Sequence, residues 1–388
     1  EHLRRVKRRM RKLASVQEIV DLAPIPGYDA IEAARILGWT VVVKKGQFKP
    51  GDRCIYCEPD SILPETPAFE FLARHRYRIK ARRIGKVISQ GIAFPLDILD
   101  EGSLIGHVSD PEDRPDGVRC WVSAGREGVS YEFPLEPGLE VTELLGVKKY
   151  DPPEVSDGSR SQAAGAFPSH LISKTDETRV QAIPEVVAEL AAEGVACYVA
   201  EKLDGSSMTV LHDRTEGEPR FRVCSRNQET REMPGCYFWG VARSLLMEEK
   251  LQAYCGARLA DHPTGLAVQG ELVGPGVNGN RARFPERTFR VFKVTDLATG
   301  RPFSFAELRS FSAETGIPLV PIADDNFLFG PEVTVDSLLA LATRRTAANE
   351  ELWAEGVVIR PLVPRRHLTL GSLSFKVINP EYMLSHDL

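Results

Sequence analysis

From residue 195 onward the chain carries a series of short apolar runs, each set against a glycine or a charged side chain. The first run ends in Glu201-Lys202-Leu203-Asp204-Gly205. Four patches follow it in order: Gly270-Glu271-Leu272, Phe289-Arg290-Val291-Phe292, Glu355-Gly356-Val357-Val358-Ile359-Arg360 and Ser374-Phe375-Lys376-Val377. Runs this short, rich in β-branched residues and bounded by turn formers, read as strands. The glycines beside them let neighbouring backbones come close. Gathered on sheet, the patches supply a nucleophilic amine, three carboxylates for metal, an aromatic face for a base and cations for phosphate.

The intervening segments show no regular alternation of strand and helix. Pro184 to Glu193 opens on proline and is followed by Gly194, as a helix should be. Tyr237 to Tyr254 reads as another helix. Strands are expected at Val195 to Ala200, Met208 to Leu211 and Phe221 to Cys224, then near 266–273, 288–296, 356–361 and 373–378. This predicts an α+β domain on antiparallel sheet. The absence of a G-x-x-x-x-G-K-[ST] sequence argues against a P-loop fold.

The first part of the chain has a different grain. Trp39 to Lys44, Gly51 to Cys57 and Tyr77 to Val87 are its clearest strands, and Tyr28 to Leu37 reads as one short helix. Such a pattern suits a small closed β-barrel such as an OB-fold. Asp151-Pro152-Pro153, Ser156-Asp157-Gly158-Ser159 and Gly165 mark a polar, flexible break. The expected organisation is a basic tail at 1–12, a barrel at 13–150, a linker at 151–168 and a catalytic domain at 169–388. A length of 388 residues leaves room for two cores.

A net charge of -5 excludes a protein that is basic all over, so any nucleic-acid surface must be a local patch. No run of about 18 apolar residues suggests a membrane span. Seven dispersed cysteines favour a reducing, cytoplasmic compartment. Cys54 and Cys57 form a C-x-x-C without a second pair or a nearby histidine, and read as buried strand cysteines rather than zinc ligands. Arg4, Arg5, Lys7, Arg8, Arg9, Arg11 and Lys12 make the first residues basic. A nucleic-acid arm, the remnant of a nuclear or organellar targeting peptide and a solvated tail all remain open there.

A free lysine is almost wholly protonated at neutral pH, so a nucleophilic one needs burial, neighbouring cations or a metal. Lys202 stands at the end of an apolar strand. If that strand continues, Asp204 projects to the same side. Attack on the α-phosphorus of a nucleotide would release pyrophosphate and leave a lysyl phosphoramidate. Asp204, Glu271 and Glu355 suit a magnesium ion held partly through its waters. Phe292 offers a face to a purine. Lys376, with Arg179 and Arg226, can hold phosphate or sugar oxygens. Each patch alone has a plain structural reading, and it is their ordered conjunction that points to chemistry.

On these residues the chain resembles the covalent nucleotidyltransferase superfamily of DNA ligases, RNA ligases and messenger-RNA capping enzymes. Lys202-x-Asp204-Gly205, Ser225-Arg226-Asn227, Gly270-Glu271-Leu272, Phe289 to Phe292, Glu355-Gly356 and Ser374-Phe375-Lys376 match its nucleotidyl motifs. Only twelve residues follow Lys376, which argues against the C-terminal OB domain of DNA ligases. A β-rich domain placed first is similar to ATP-dependent RNA ligases with an N-terminal OB domain. The resemblance implies an ATP-dependent RNA ligase that joins a 3′-hydroxyl to a 5′-phosphate, sealing nicks with Mg2+ or Mn2+ through lysyl-AMP and RNA-adenylate, and working as a monomer. It assigns Lys202 as nucleophile and Asp204, Glu271 and Glu355 to metal. Glu201 and Phe292 fall to the adenine, Arg179, Arg226 and Asn227 to the nucleotide or 5′-phosphate, and Lys376 to the α-phosphate. Ser374 stands where many relatives have a lysine, and Lys293 where aspartate is common.

One further stretch is basic. Arg76, Arg78, Lys80 and Arg82 alternate with Tyr77, Ile79 and Ala81, so on a strand they would line one face and suit a phosphate backbone. A charged, solvated edge strand is the alternative. Two other functions compete for the whole chain: an ATP-dependent DNA ligase, and a nucleic-acid-binding protein with a vestigial nucleotide site.

Overall fold

The computed structural model describes residues 12–102, 106–109, 121–126, 129–150, 162–368 and 370–388. The basic run as far as Arg11, Cys120 and the first part of the expected linker lie outside these. The chain divides into two compact units. One comprises Glu1–Pro152 with Gln181–Pro184 and Met383–Leu388, the other Pro153–Val180 with Glu185–Tyr382.

Among the described residues the first unit holds three three-stranded antiparallel sheets. One pairs Ala14–Glu18, Arg53–Cys57 and Ile92–Phe94, a second Asp21–Ile25, Tyr28–Ile36 and Trp39–Lys44, and a third Gly106–Ser109, Trp121–Arg126 and Val129–Pro134. Arg53–Cys57 is buried on both faces. Ile55 and Cys57 enter a cluster with Val16, Phe69 and Phe94, while Cys54 and Tyr56 enter one with Ile36, Trp39 and Val41. The period of two therefore sends Cys54 and Cys57 to opposite sides of the strand. They are buried free thiols, and burial pushes Cys54 up to about 12.

Tyr28–Ile36 corrects the expected helix. Its alanine-rich centre has good helix propensity, yet it pairs on both edges, and a turn at Leu37-Gly38 folds it back onto Trp39–Lys44. Tertiary pairing outweighs a propensity worth tenths of a kcal/mol per residue.

The second unit holds a six-stranded and a five-stranded sheet. The six strands run in the order Ala163–Ala166, Gln228–Thr230, Arg220–Cys224, Ser206–Asp213, Gly265–Val273, Thr288–Asp296. The five run Thr178–Arg179, Phe375–Ile378, Gly356–Pro361, Ala196–Lys202, Ile322–Leu328. Every pairing is antiparallel except that of Thr178–Arg179 with Phe375–Ile378. The α+β class with antiparallel sheet is as expected. Ala163–Ala166 is an edge strand within the stretch expected to be linker.

The expected helix Tyr237 to Tyr254 is two, Tyr237–Ser244 and Met247–Ala257, separated where Leu246 turns left-handed (φ 51°). The break lets Trp239 and Val241 on one piece and Met247 and Leu251 on the other reach the same core as Val210, Val268 and Val291. A second cluster joins the two sheets: Tyr198, Ala200 and Leu203 meet Val273, Phe292 and Phe305. No helix among the described residues is long and apolar enough to cross a membrane.

Candidate active site

Lys202 is the last residue of Ala196–Lys202 and lies opposite Gly356 across the sheet. Gly356 has φ 152°, and a Cβ there would collide with the Val377 carbonyl oxygen, so only glycine lets its strand close on the neighbouring Phe375–Ile378. Glu355, one residue before, reaches the amine: its Oε2 is 2.6 Å from Lys202 Nζ. At the turn that follows, a Cβ on Gly205 would strike the Leu272 carbonyl oxygen and the Glu271 side chain. The Gly205 N–H donates to the Glu271 carboxylate. Two glycines thus fix two acids about one lysine.

The charges do not balance. Burial pushes Glu271 up to about 8, although the Lys202 charge draws it down. Burial likewise raises Glu355 against the pull of Lys202. For Lys202 burial favours the neutral amine, but Glu355 and Glu271 outweigh it and the net shift is upward. Without a further cation Glu355, and Glu271 where it is ionised, keep the amine charged. It gains a lone pair when their charge is taken up by something else.

Asp204 departs from expectation. The strand ends at Lys202, so the simple alternation does not reach it. Its carboxylate accepts from Asn278 Nδ2, Tyr382 Oη and Arg281 Nη1, the last at 2.8 Å. Among the described residues no three His, Cys, Asp or Glu side chains stand close enough to hold a metal ion between them. Glu201 points to the other face of the strand, where Thr346 Oγ1 and the Ala347 N–H (2.9 Å) donate to it. Arg281, Asn278 and Tyr382 carried no signal in the sequence, because nothing local marks their convergence on Asp204.

Of the remaining residues, Arg179 and Lys376 lie on the five-stranded sheet, while Phe292 lies on a strand of the six-stranded sheet and Arg226 and Asn227 on a turn between two of its strands. Arg179 is the register partner of Lys376. Lys376 Nζ lies 3.5 Å from Asp176, and Arg226 pairs with the same acid at 3.8 Å. Asn227 accepts from Lys174 at 2.8 Å. Gln269 pairs with Lys293 and Gly270 with Val291, which leaves Phe292 as an extra residue in a β-bulge. A bulge re-aims side chains. Phe292 joins the cluster between the sheets, and Val291 and Val294 both enter the core on the other side. Arg360, which donates to Glu177 at 2.8 Å, stands 5.5 Å from the Phe292 ring centre.

Comparison with known proteins decides the family. A family model described as RNA ligase matches residues 196–378. The chain is similar to the Naegleria gruberi RNA ligase solved with PPi, at 30% identity and a TM-score of 0.76, covering 97% of this chain and 99% of that one. The chain belongs to the RNA ligase family. Substituted forms of the Naegleria gruberi RNA ligase solved with AMP and Mn (29% identity, TM-score 0.76) and with ATP and Mn (30%, 0.75) each cover 97% of it and 99% of their own length. A model described as an OB-fold domain matches residues 13–96, so this is an RNA ligase whose N-terminal domain is OB-fold. No curated protein matches in sequence.

In this RNA ligase the basic stretch of the OB-fold unit is not the strand expected. Pro67–His75 forms a 3-10 helix, and Arg76 and Tyr77 both take left-handed conformations (φ 54° and 57°). Alternation therefore fails, and the four cations do not share a strand face. Arg78 stacks on Tyr150 (3.6 Å) and pairs with Asp60 at 3.2 Å. Lys80 and Arg82 both pair with Asp387. Arg76 remains exposed.

Proposed function

We propose that this RNA ligase uses ATP to join a 3′-hydroxyl RNA end to a 5′-phosphate, with Lys202 as the covalent carrier of AMP and a nicked duplex as substrate. The observation that supports this most directly is the amine of Lys202 held at the end of its strand, 2.6 Å from Glu355 and close to Glu271. The similar Naegleria gruberi structures, with ATP, AMP, Mn and PPi in their descriptions, support the same nucleotide and metal class.

A hydrated divalent cation, Mg2+ or Mn2+, fits the acids present. Two neighbouring buried carboxylates flank the amine, and a hard cation that keeps several waters needs no direct three-acid cage. Glu271, Glu355 and Asp204 would hold it through those waters. Bound there, it would neutralise charge on the α-phosphate and relieve the acids' hold on the amine. Lys202 Nζ would then attack the α-phosphorus. An N–P bond forms, pyrophosphate leaves with the electron pair, and the amine proton passes to solvent. Phe292 and the apolar cluster around it would receive the adenine face, and Glu201, tied to Thr346 and Ala347, would fix the loop beside it. Arg179, Arg226, Asn227 and Lys376 would meet nucleotide and 5′-phosphate oxygens, exchanging Asp176 for phosphate.

The test is incubation with α-labelled ATP and a divalent metal, followed by a chase with nicked duplexes bearing RNA or DNA on each side of the break. Covalent label that depends on Lys202 and discharges into a sealed RNA strand is the expected result. Label with sealing only of DNA 3′-ends would favour a DNA ligase, and no label at all would leave a binding protein.

A further inference from the structure

We propose that Arg281 is a phosphate-binding residue of the first chemical step, placed to take the β- and γ-phosphates that depart as pyrophosphate. This rests on the adenylyl-transfer reading above. Arg281 lies on the connection between Gly265–Val273, which carries Glu271, and Thr288–Asp296, which carries Phe292. Its Nη1 is anchored on Asp204 at 2.8 Å and lies 3.5 Å from Tyr382 Oη. Its Nε and Nη2 donate to no protein atom among the described residues. The arginine side chain is 29% exposed, while the acid beneath it is 11% exposed. A guanidinium pinned by one nitrogen on a mostly buried acid, with its other edge turned to solvent, presents the paired donors that phosphate oxygens accept.

The loop is held in that pose. Asn278, Asn280 and Arg283 are non-glycine residues with left-handed backbone (φ 42°, 44° and 56°). Such conformations persist where the surrounding structure over-determines them, and they cluster at ligand clamps. Here Asn278 Nδ2 donates to Asp204, and the Asn280 side chain brackets Phe284, accepting from its N–H and donating to its carbonyl at 2.9 Å each.

The surroundings supply a reason for such a cation. Lys202 is engaged by Glu355 (2.6 Å), Lys376 (3.5 Å) and Arg226 (3.8 Å) by Asp176, and Arg360 (2.8 Å) by Glu177. Ser374, two residues before Lys376, is buried, its hydroxyl has no hydrogen-bond partner among the described residues, and it brings no charge. A triphosphate whose terminal groups leave as pyrophosphate needs positive charge at the leaving end as the Pα–O bond breaks.

The experiment titrates ATP and inorganic pyrophosphate by calorimetry into a Lys202→Ala protein with and without Arg281→Gln, so that binding is read without turnover. Arg281→Gln should weaken both ligands roughly ten- to hundredfold, the loss expected for charge-assisted hydrogen bonds, and Arg281→Lys should lose less. In the enzyme that keeps Lys202, sealing of chemically pre-adenylated RNA, which involves no pyrophosphate, should proceed at the parent rate. Unchanged pyrophosphate affinity overturns the proposal. So does an equal loss of pre-adenylated sealing, which would place the arginine on the RNA instead. Tyr382→Phe removes another donor to Asp204 and leaves Arg281 in place. If it weakens pyrophosphate as much as Arg281→Gln, the arginine acts only through the acid and the proposal falls. An otherwise native enzyme that never acquires label overturns the adenylyl-transfer reading itself, a separate outcome.

Discussion

Lys202 shows how a residue's chemistry depends on its neighbours' charge. Lys202→Arg keeps a cation against Glu355 but offers no lone pair at neutral pH, whereas Lys202→Ala leaves Glu355 and Glu271 facing each other without it. Both variants should lose the covalent adenylate completely, and the alanine variant should melt at the lower temperature; a labelled adduct in either would refute the assignment. A second residue pair stabilises the unit far from this chemistry. Asp296 accepts from Thr299 and lies 2.7 Å from His262 in the core. Burial raises its carboxyl, but the His262 and Thr299 hydrogen bonds outweigh that and hold it below the usual aspartate range. A depressed value stabilises the fold above the unfolded pKa, and that stability is lost as pH falls through the folded one. Asp296→Asn should therefore cost about 1–3 kcal/mol near neutrality, the loss expected for hydrogen bonds to a charged group. In denaturant titrations the gap should stay constant down to about pH 5 and narrow below the ordinary aspartate pKa of about 3.9.

At the scale of elements, the site depends on how closely two turns approach two strands. Gly205→Ala places a methyl group against the Leu272 backbone, which is not a flexible side-chain end that can swing aside. The turn must back away from Gly265–Val273, taking the Gly205 N–H off Glu271. The expected result is a stability loss of about 1–3 kcal/mol with a disproportionate fall in lysyl-AMP formation. Equal activity per folded molecule would show that the close approach serves packing alone. Sequence reading located these turns because glycine beside an acid is a local signal. It missed the bulge at Phe292, because a one-residue shift in pairing is a property of two strands together. The same limit explains Tyr28–Ile36: its residues suit a helix, and only pairing on both sides makes it a strand.

For the whole molecule, the OB-fold unit and the catalytic unit invite separate tests. We expect the cations of the OB-fold unit to meet RNA phosphates, but Lys80 and Arg82 must first exchange Asp387 for phosphate, and Arg78 is tied into packing by Tyr150 and Asp60. Asp387→Asn should strengthen binding of a nicked RNA duplex several-fold. Lys80→Gln with Arg82→Gln should weaken it and flatten its salt dependence by roughly one unit of slope for each cation neutralised. Lysyl-AMP formation, which needs no RNA, is the control; unchanged affinity in all these variants would move the RNA surface elsewhere. The sequence by itself determined the family and the α+β class, and it singled out the lysine, the acids and the aromatic ring as candidates, because each stands in a short apolar strand or beside a glycine turn. Only the tertiary structure decided that Asp204 is clamped by Arg281, Asn278 and Tyr382, that the amine is held by Glu355, and that the basic stretch is broken by a turn at Arg76-Tyr77 rather than being one continuous strand. Those outcomes turn on burial, strand register and charge brought together from distant parts of the chain, and no local pattern encodes them.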